Sequence, residues 1–469
     1  MKMKKILIAG GGITGLATAY YLQKSMQENN LPYEIKLVEA SNRLGGKVQT
    51  VRHEDFVIER GPDSFLERKQ PIMRLIESLG MNDQLVRNAT GQSYILVDGK
   101  LRKMPKGAHM GVPTQIRPFL FSGMFSTKGK LRAAMDYVLP KGKTGDQSLG
   151  GFFRRRFGDE LVENCVEPLL SGIYAGDIDN MSLLATFPNF YTLEQEHRSL
   201  IKGLKESSTG SKKQLKTKSS KKKGMFLTLR NGLESMIEEL ESQLGQVDIS
   251  LRTSVDHVER KEQGYHVLLS DGTVYKADAI VMTTPHYTLP KIFSQYDYFR
   301  MLEEVPSTSV ATIAMAFDAA AIKKDMDGTG FVVSRNSDYR ITACTWTHKK
   351  WPNAAPAGKA LVRCYVGRPD DQSAVELSDK EIIDVVLKDL NKTMKIKKKP
   401  EFYVISRWKN AMPQYTVGHI DRVNQIRNES AIQLPGIFFA GSSFEGIGLP
   451  DCIGQGEQAV ESVLNYFRD

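Results

Sequence analysis

No apolar run in this chain approaches the roughly 20 residues that cross a bilayer, so no spanning helix is expected. Cysteine is equally sparse. Cys165, Cys344, Cys364 and Cys452 are scattered, with no CxxC pair and no ligand spacing. That argues for reduced thiols and against a disulfide framework or a bound metal. The opening MKMKKILIAGGG places lysines before apolar residues but lacks a signal core, because Ile6 to Ala9 is short and Gly10–Gly12 interrupts it. Excess positive charge is missing from most of the chain. Residues 202–224 hold nine lysines and one glutamate and so carry most of the net +10. Rich in Lys, Ser and Gly and free of aromatics, this stretch is expected to be a disordered surface loop. It reads as a solvated tether, or as a grip on anionic lipid or a partner protein, not as a nucleic-acid site. The expected location is cytoplasmic, either free or peripheral at the inner face of the membrane.

What is present begins at the N-terminus. At 469 residues the chain exceeds one compact core, and two or three domains are expected. KKILIAG reads as a buried strand, GGITGLATAYYLQKSMQE as a glycine turn opening a helix, and EIKLVEA as a second strand. Together they predict the first unit of an α/β, Rossmann-like dinucleotide domain. Later segments predict a discontinuous domain from residues 1–85, 225–290 and 403–469. A helical domain over 86–201 and a sheet-based substrate domain over 291–402 would be inserted between its pieces.

Gly10-x-Gly12-x-x-Gly15 sits between that strand and that helix. Its backbone, from Gly10 through Gly11, Ile13 and Thr14, would approach a pyrophosphate at the helix N-terminus. Glu39 closes the second strand, with Ala40 beside it, where a carboxylate accepts from ribose hydroxyls and repels a 2′-phosphate. NADP is therefore not expected. The stretch VEASNRLGGKVQT decides between NAD and FAD. Arg43, Gly45, Gly46 and Lys47 directly follow the ribose acid. An NAD site does not require them, whereas a longer FAD must be passed closely by chain, which glycines permit, and Arg43 and Lys47 would add positive charge.

This combination resembles the flavoproteins that pair GxGxxG with R-x-G-G-[KR], among them monoamine oxidases, carotenoid desaturases and protoporphyrinogen oxidases. The resemblance implies that Gly61, Pro62, Asp63 and Ser64 of ERGPDS pass beside the isoalloxazine. It also implies that the Val255 backbone meets adenine and that Trp408 of RWKNAMPQY lies near the flavin. Ile447, Gly448 and Leu449 of FFAGSSFEGIGLPDC would open a helix aimed at the ring, with Ser442 where relatives often carry an acid. Residues 409–440 contain no cysteine, so one non-covalent FAD per chain is expected. No second GxGxxG follows a strand, so oxygen is expected as the acceptor.

SLGGFFRRRFGDELVENCVEPLLSGIYAGD, GPDSFLERK, GTGFVVSRNSDYRITACTWTHKKWP and FEGIGLPDC narrow the resemblance to the oxygen-dependent porphyrinogen oxidases of Gram-positive bacteria. It implies oxidation of coproporphyrinogen III to coproporphyrin III in heme synthesis, by three two-electron transfers to FAD with dioxygen reduced to peroxide. Protoporphyrinogen IX oxidase, flavin amine oxidase and carotenoid desaturase stay open as alternatives, as does a non-redox FAD-dependent sugar mutase. Contact with neighbouring heme-pathway enzymes is a further open partner. Arg68 and Lys69 are expected to meet substrate propionates, and Phe331 and Val332 to line an apolar face. His286, His348 and His419 are candidates for a base by residue type alone, so the catalytic residue is left unassigned.

Overall fold

The computed structural model describes residues 3–105, 107–213 and 224–468. Strand β1 (Lys4–Ala9) is buried from Ile6 onward on both faces, as befits the middle of a parallel sheet. It runs through the glycine turn into helix α1 (Ile13–Asn29), which ends at Asn30 in a left-handed conformation (φ 50°). The chain returns as strand β2 (Tyr33–Glu39), and Ile6 pairs with Ile35 in parallel register. Three distant strands complete the five-stranded parallel sheet. Val247–Leu251 flanks β2, Ala279–Met282 flanks β1, and Ile437–Phe439 forms the far edge. The helix Leu449–Tyr466 packs beside α1 over this sheet.

A seven-stranded sheet stands opposite. Its spatial order is Phe402–Pro413, Ser307–Asp318, Lys359–Val366, Ile341–Trp346, Gly330–Val333, Tyr94–Val97 and Lys100–Lys103. Every pairing is antiparallel except Gly330–Val333 with Tyr94–Val97. This membership moves two expected boundaries. Residues 94–103, assigned above to the helical insertion, and 403–413, assigned to the nucleotide domain, are strands of this sheet. Apolar runs of four to eight residues do not reveal their partners, and only the long-range pairing decides.

The helical module packs against the antiparallel sheet at Ile95, Val97 and Val332, around a core that includes Phe152, Phe153, Phe157 and Phe190. Ser126 and Ser148 cap two of its helices through their side chains. The fully buried Arg156 pairs there with the fully buried Asp136 at 2.5 Å, while Arg154 and Arg155 pair with Asp179 and Glu194. The first part of the expected Lys-rich loop is also different. Residues 202–213 continue a helix from Leu200 to Lys213, because Leu200, Ile201 and Leu204 bury one face against the module. Residues 214–223 of that stretch lie outside the described residues.

Candidate active site

One large cavity, about 2150 Å³, lies between the carboxyl ends of the parallel strands, the antiparallel sheet and the helical module. Sites for single drug-sized ligands run about 300–1,000 Å³, so this volume accommodates more than one such molecule.

On the parallel-sheet side the wall is mostly main chain. Helix α1 starts at Gly12 and the Leu449–Tyr466 helix at Gly448, and neither has a side-chain cap. Both N-termini, with Gly10, Ile13, Thr14 and Leu449, face the cavity. Unsatisfied N–H groups and two macrodipoles therefore point into one space, an arrangement that favours anionic ligand groups. A side chain at Gly12 would meet nothing within 4 Å, so its α-carbon borders open cavity. The second glycine pair is joined to the first: Gly45 N donates to Gly11 O at 2.8 Å, and Gly45 bridges Gly12. Gly46 lies on the wall, while Gly11 and Gly15 sit behind it. Glu39 anchors the turn, accepting from Gly11 N at 2.7 Å and Ser41 N at 2.8 Å, and faces the cavity beside Ala40 and Val255.

Arg43 departs from expectation. Its guanidinium turns away from the cavity and donates to Gly46 O and Val48 O while pairing with Glu234. It holds the glycine loop in shape, because three oxygens close at hand outcompete the open space. Lys47 does face the cavity, donating to Ala411 O, and burial lowers its pKa.

Gly61, Pro62, Asp63, Ser64 and Trp408 line the next section, with Ser442, Ile447 and Gly448 opposite. Gly61 is obligatory where it is, since a Cβ would lie 1.9 Å from Lys47 O. The preceding carbonyl, Arg60 O, accepts from three adjacent strands: Trp408 Nε1 at 3.0 Å, Thr312 Oγ1 at 2.9 Å and Arg363 Nη2 at 3.1 Å. That convergence bolts the Gly-Pro segment to the antiparallel sheet. Asp63 pairs with Lys350 Nζ at 2.7 Å. Desolvation alone would raise its pKa, but Lys350 and Arg363 outweigh it and hold the carboxyl well below the usual range.

The far section is built from side chains. Arg335, Arg363 and Arg368 face the cavity, as do Asp177, Asp370 and Glu167, whose pKa burial raises. Arg335 pairs with Asp177 at 3.1 Å and Asp370 at 3.4 Å, whereas Nη2 of Arg368 is buried without a partner among the described residues. The sequence reading missed all three arginines. Arg363 carried a usable signal, a charge in the middle of the buried strand KALVRCYV; the others carried none.

The expected substrate residues separate. Arg68 lines the cavity, and no ion-pair partner is found for it among the described residues. Lys69 also lines it but is paired with Asp451 at 2.7 Å and precedes a helix as its N-cap. Val332 faces the cavity, whereas Phe331 points the other way into the core against Trp346. Side chains alternate along a strand, so Phe331 and Val332 point to opposite faces. Of the three histidines, His286 alone is on the wall, with Nδ1 3.3 Å from Ser443 Oγ and Nε2 3.0 Å from Val305 O; burial lowers its pKa. His348 bonds Leu361 O, and His419 stacks on Tyr415 at 4.1 Å behind the wall.

Residues 13–464 match the family model for flavin containing amine oxidoreductases. The coproporphyrinogen III oxidase of Bacillus subtilis (strain 168) is 52% identical over 99% of this chain and 98% of its own length. The enzyme of that name from Staphylococcus aureus (strain NCTC 8325 / PS 47) is 42% identical over 98% and 99%. A crystal structure described as a protoporphyrinogen oxidase from Exiguobacterium sp. 255-15 superposes with a TM-score of 0.88 at 39% identity, covering both chains fully. With these likenesses running from end to end, the chain belongs to the family of flavin containing amine oxidoreductases.

Proposed function

We propose that this protein oxidises coproporphyrinogen III to coproporphyrin III, with FAD as electron carrier and dioxygen as acceptor. The observation that carries this reading is 52% identity over 99% of the chain to an enzyme of that name. The cavity suits it, being large enough for cofactor and macrocycle together and bordered by the arginines Arg68 and Arg368.

When bound, FAD supplies the two-electron acceptance and the reaction with dioxygen that amino-acid side chains do not provide. The residues fit it, since the two uncapped helix N-termini and the open space beside Gly12 form an anion cradle. In this reading Gly10, Gly12, Ile13, Thr14 and Gly46 meet the diphosphate, Glu39 and Ala40 the ribose, and the Val255 main chain the adenine. Gly61 to Ser64, Trp408 and Ile447 to Leu449 enclose the ring end with Lys47. Arg68 and Arg368, both on the cavity wall, take substrate propionates, each a charge-assisted contact. The protein's part is to hold the macrocycle at reacting distance and exclude water. No side chain is assigned as base, since both ring nitrogens of His286 already have partners.

No helix among the described residues is long and apolar enough to cross a membrane. Peripheral contact has a better candidate than the lysine-rich stretch. Leu131, Met135 and Val138 are exposed at helical spacing, Phe121 is 88% exposed, and Arg117, Lys128 and Lys141 are exposed close to them in the sequence. Such a basic, apolar face suits the surface of an anionic bilayer.

The test is a side-by-side rate measurement on coproporphyrinogen III and protoporphyrinogen IX, following porphyrin fluorescence and peroxide. Faster turnover of the first is expected. Rates no greater than autoxidation on both would overturn the reading, and preference for the second would reassign the substrate.

A further inference from the structure

Behind the cavity wall formed by Asp63 and Arg363 lies a second, separate chamber of about 20 Å³. It is bounded by the strand Phe56–Glu59, the segment Thr347–Ala354 and the strand Lys359–Val366. Three of its lining residues each bury a polar atom with no partner among the described residues: Thr347 Oγ1, Asn353 Oδ1 and Arg363 Nε. Thr347 is 8% exposed and Arg363 3%. Buried polar groups left unmatched are costly, and a cavity needs only about 10–15 Å³ and two to four polar partners to hold a water molecule. Glu59 completes the lining. Its carboxyl accepts from Leu233 N at 2.6 Å and from Thr50 Oγ1 at 2.9 Å.

We infer that this chamber is a hydration site, and that its water links Glu59 to the Asp63–Arg363 wall, making Glu59 the group whose proton sets the charge beneath the Gly61–Pro62 segment. The inference rests on the flavoenzyme reading above, since it makes Glu59 a positioning residue for that reaction. The charges around the chamber explain why one proton matters. With Glu59 ionised, Lys350 and Arg363 face two carboxylates, Glu59 and Asp63. With Glu59 protonated, one cation is left unmatched against a segment that Arg363 already holds through Arg60 O and Gly61 O. An unmatched cation there favours negative charge on whatever lies across the Gly-Pro segment. The other charges near Glu59 are Glu234, which shares Thr50 with it and pairs with Arg43, and Arg52, which pairs with Glu238. Some of the residue's surface remains accessible, but the carboxyl is enclosed by protein, and that desolvation is the leading reason its pKa rises from 4.5 to about 7. Glu59 can therefore change charge in the neutral range.

The experiment compares the FAD-loaded wild type with Glu59→Gln and Thr347→Val. The flavin midpoint potential of the wild type is expected to bend near pH 7, with Glu59→Gln losing the bend and Thr347→Val weakening it. Unfolding provides a second readout. A carboxyl with a raised native pKa loses stability as pH climbs from about 4.5 to about 7, so the wild type should fall relative to Glu59→Gln across that window. A well-resolved crystal structure should show solvent density between Thr347, Asn353 and Arg363. A bend that survives in Glu59→Gln, or a dry chamber, overturns the inference. Should Glu59→Gln lose FAD, Thr347→Val and the solvent density decide. The two porphyrinogen rates fail or succeed independently of these measurements, so the substrate reading is tested separately.

Discussion

Against one side of the cavity the protein presents main chain: Gly10, Gly12, Gly46 and the first N–H groups of two uncapped helices. Against the other it presents Arg335, Arg363, Arg368 and Val332 on the antiparallel sheet and its connections. The difference lies in what fixes each position. Main-chain donors are set by the fold itself, and a side chain beside them would occupy the cavity, whereas the cations reach the cavity on long, replaceable stems. The first side should fail completely when altered, and the second by degrees.

The sharpest break is Gly12→Val, which fills the space beside the α1 N-terminus. Loss of FAD retention is expected, read from the colour of the purified protein and from reconstitution. Stoichiometric FAD in that variant would contradict the cradle. Next come neighbours on one strand of the second side. Phe331→Ala should cost about 3–5 kcal/mol of stability, as large core truncations do, with KM unchanged in the folded fraction. Val332→Ala should do the reverse, leaving the midpoint of denaturation nearly unmoved while altering KM. Graded loss is then expected from Arg368→Ala or Arg68→Ala. Removing one charge-assisted contact forfeits about 1.5–3 kcal/mol, so KM should rise roughly tenfold or more with FAD retained. Equal KM values would leave the propionates without these partners.

The smallest effect concerns the support of the first side. Tyr415 donates to Ser442 O, and His419, stacked on it, meets Phe444 O at 2.8 Å. Desolvation drops the pKa of His419 from 6.5 to about 4. The unfolded chain therefore binds the proton first, and stability should fall as pH drops from about 6.5 toward about 4. His419→Gln should flatten that slope in an acid unfolding series. This runs against the Glu59 trend in the same range, which is why the Glu59 experiment compares variants.

The two sides also differed in how much their sequences disclosed. Gly10, Gly12 and Glu39 lie within one strand–helix–strand unit whose geometry is local, so spacing alone predicted their arrangement. Arg43 shows the limit of that logic, because residue type indicated charge while orientation depended on Glu234, distant in the chain. Phe331 and Val332 were both expected at the cavity because a short apolar run does not reveal which alternate face is inward. Lys350 meeting Asp63, or three strands meeting at Arg60 O, involves residues roughly 250 to 350 apart. No local pattern encodes such meetings.

The placement of Gly448 at the head of the last helix has a consequence for biogenesis. The first half of the anion cradle emerges early, since Gly12 and Gly45 need only a short loop to meet. The second half is supplied by Ser442 to Cys452, several hundred residues later in the sequence. A nascent chain still missing that segment has one helix N-terminus where the diphosphate calls for two. Cofactor capture is thus expected only once residues 442 to 452 have been made, and stalled chains ending before residue 436 should emerge colourless even with FAD in excess.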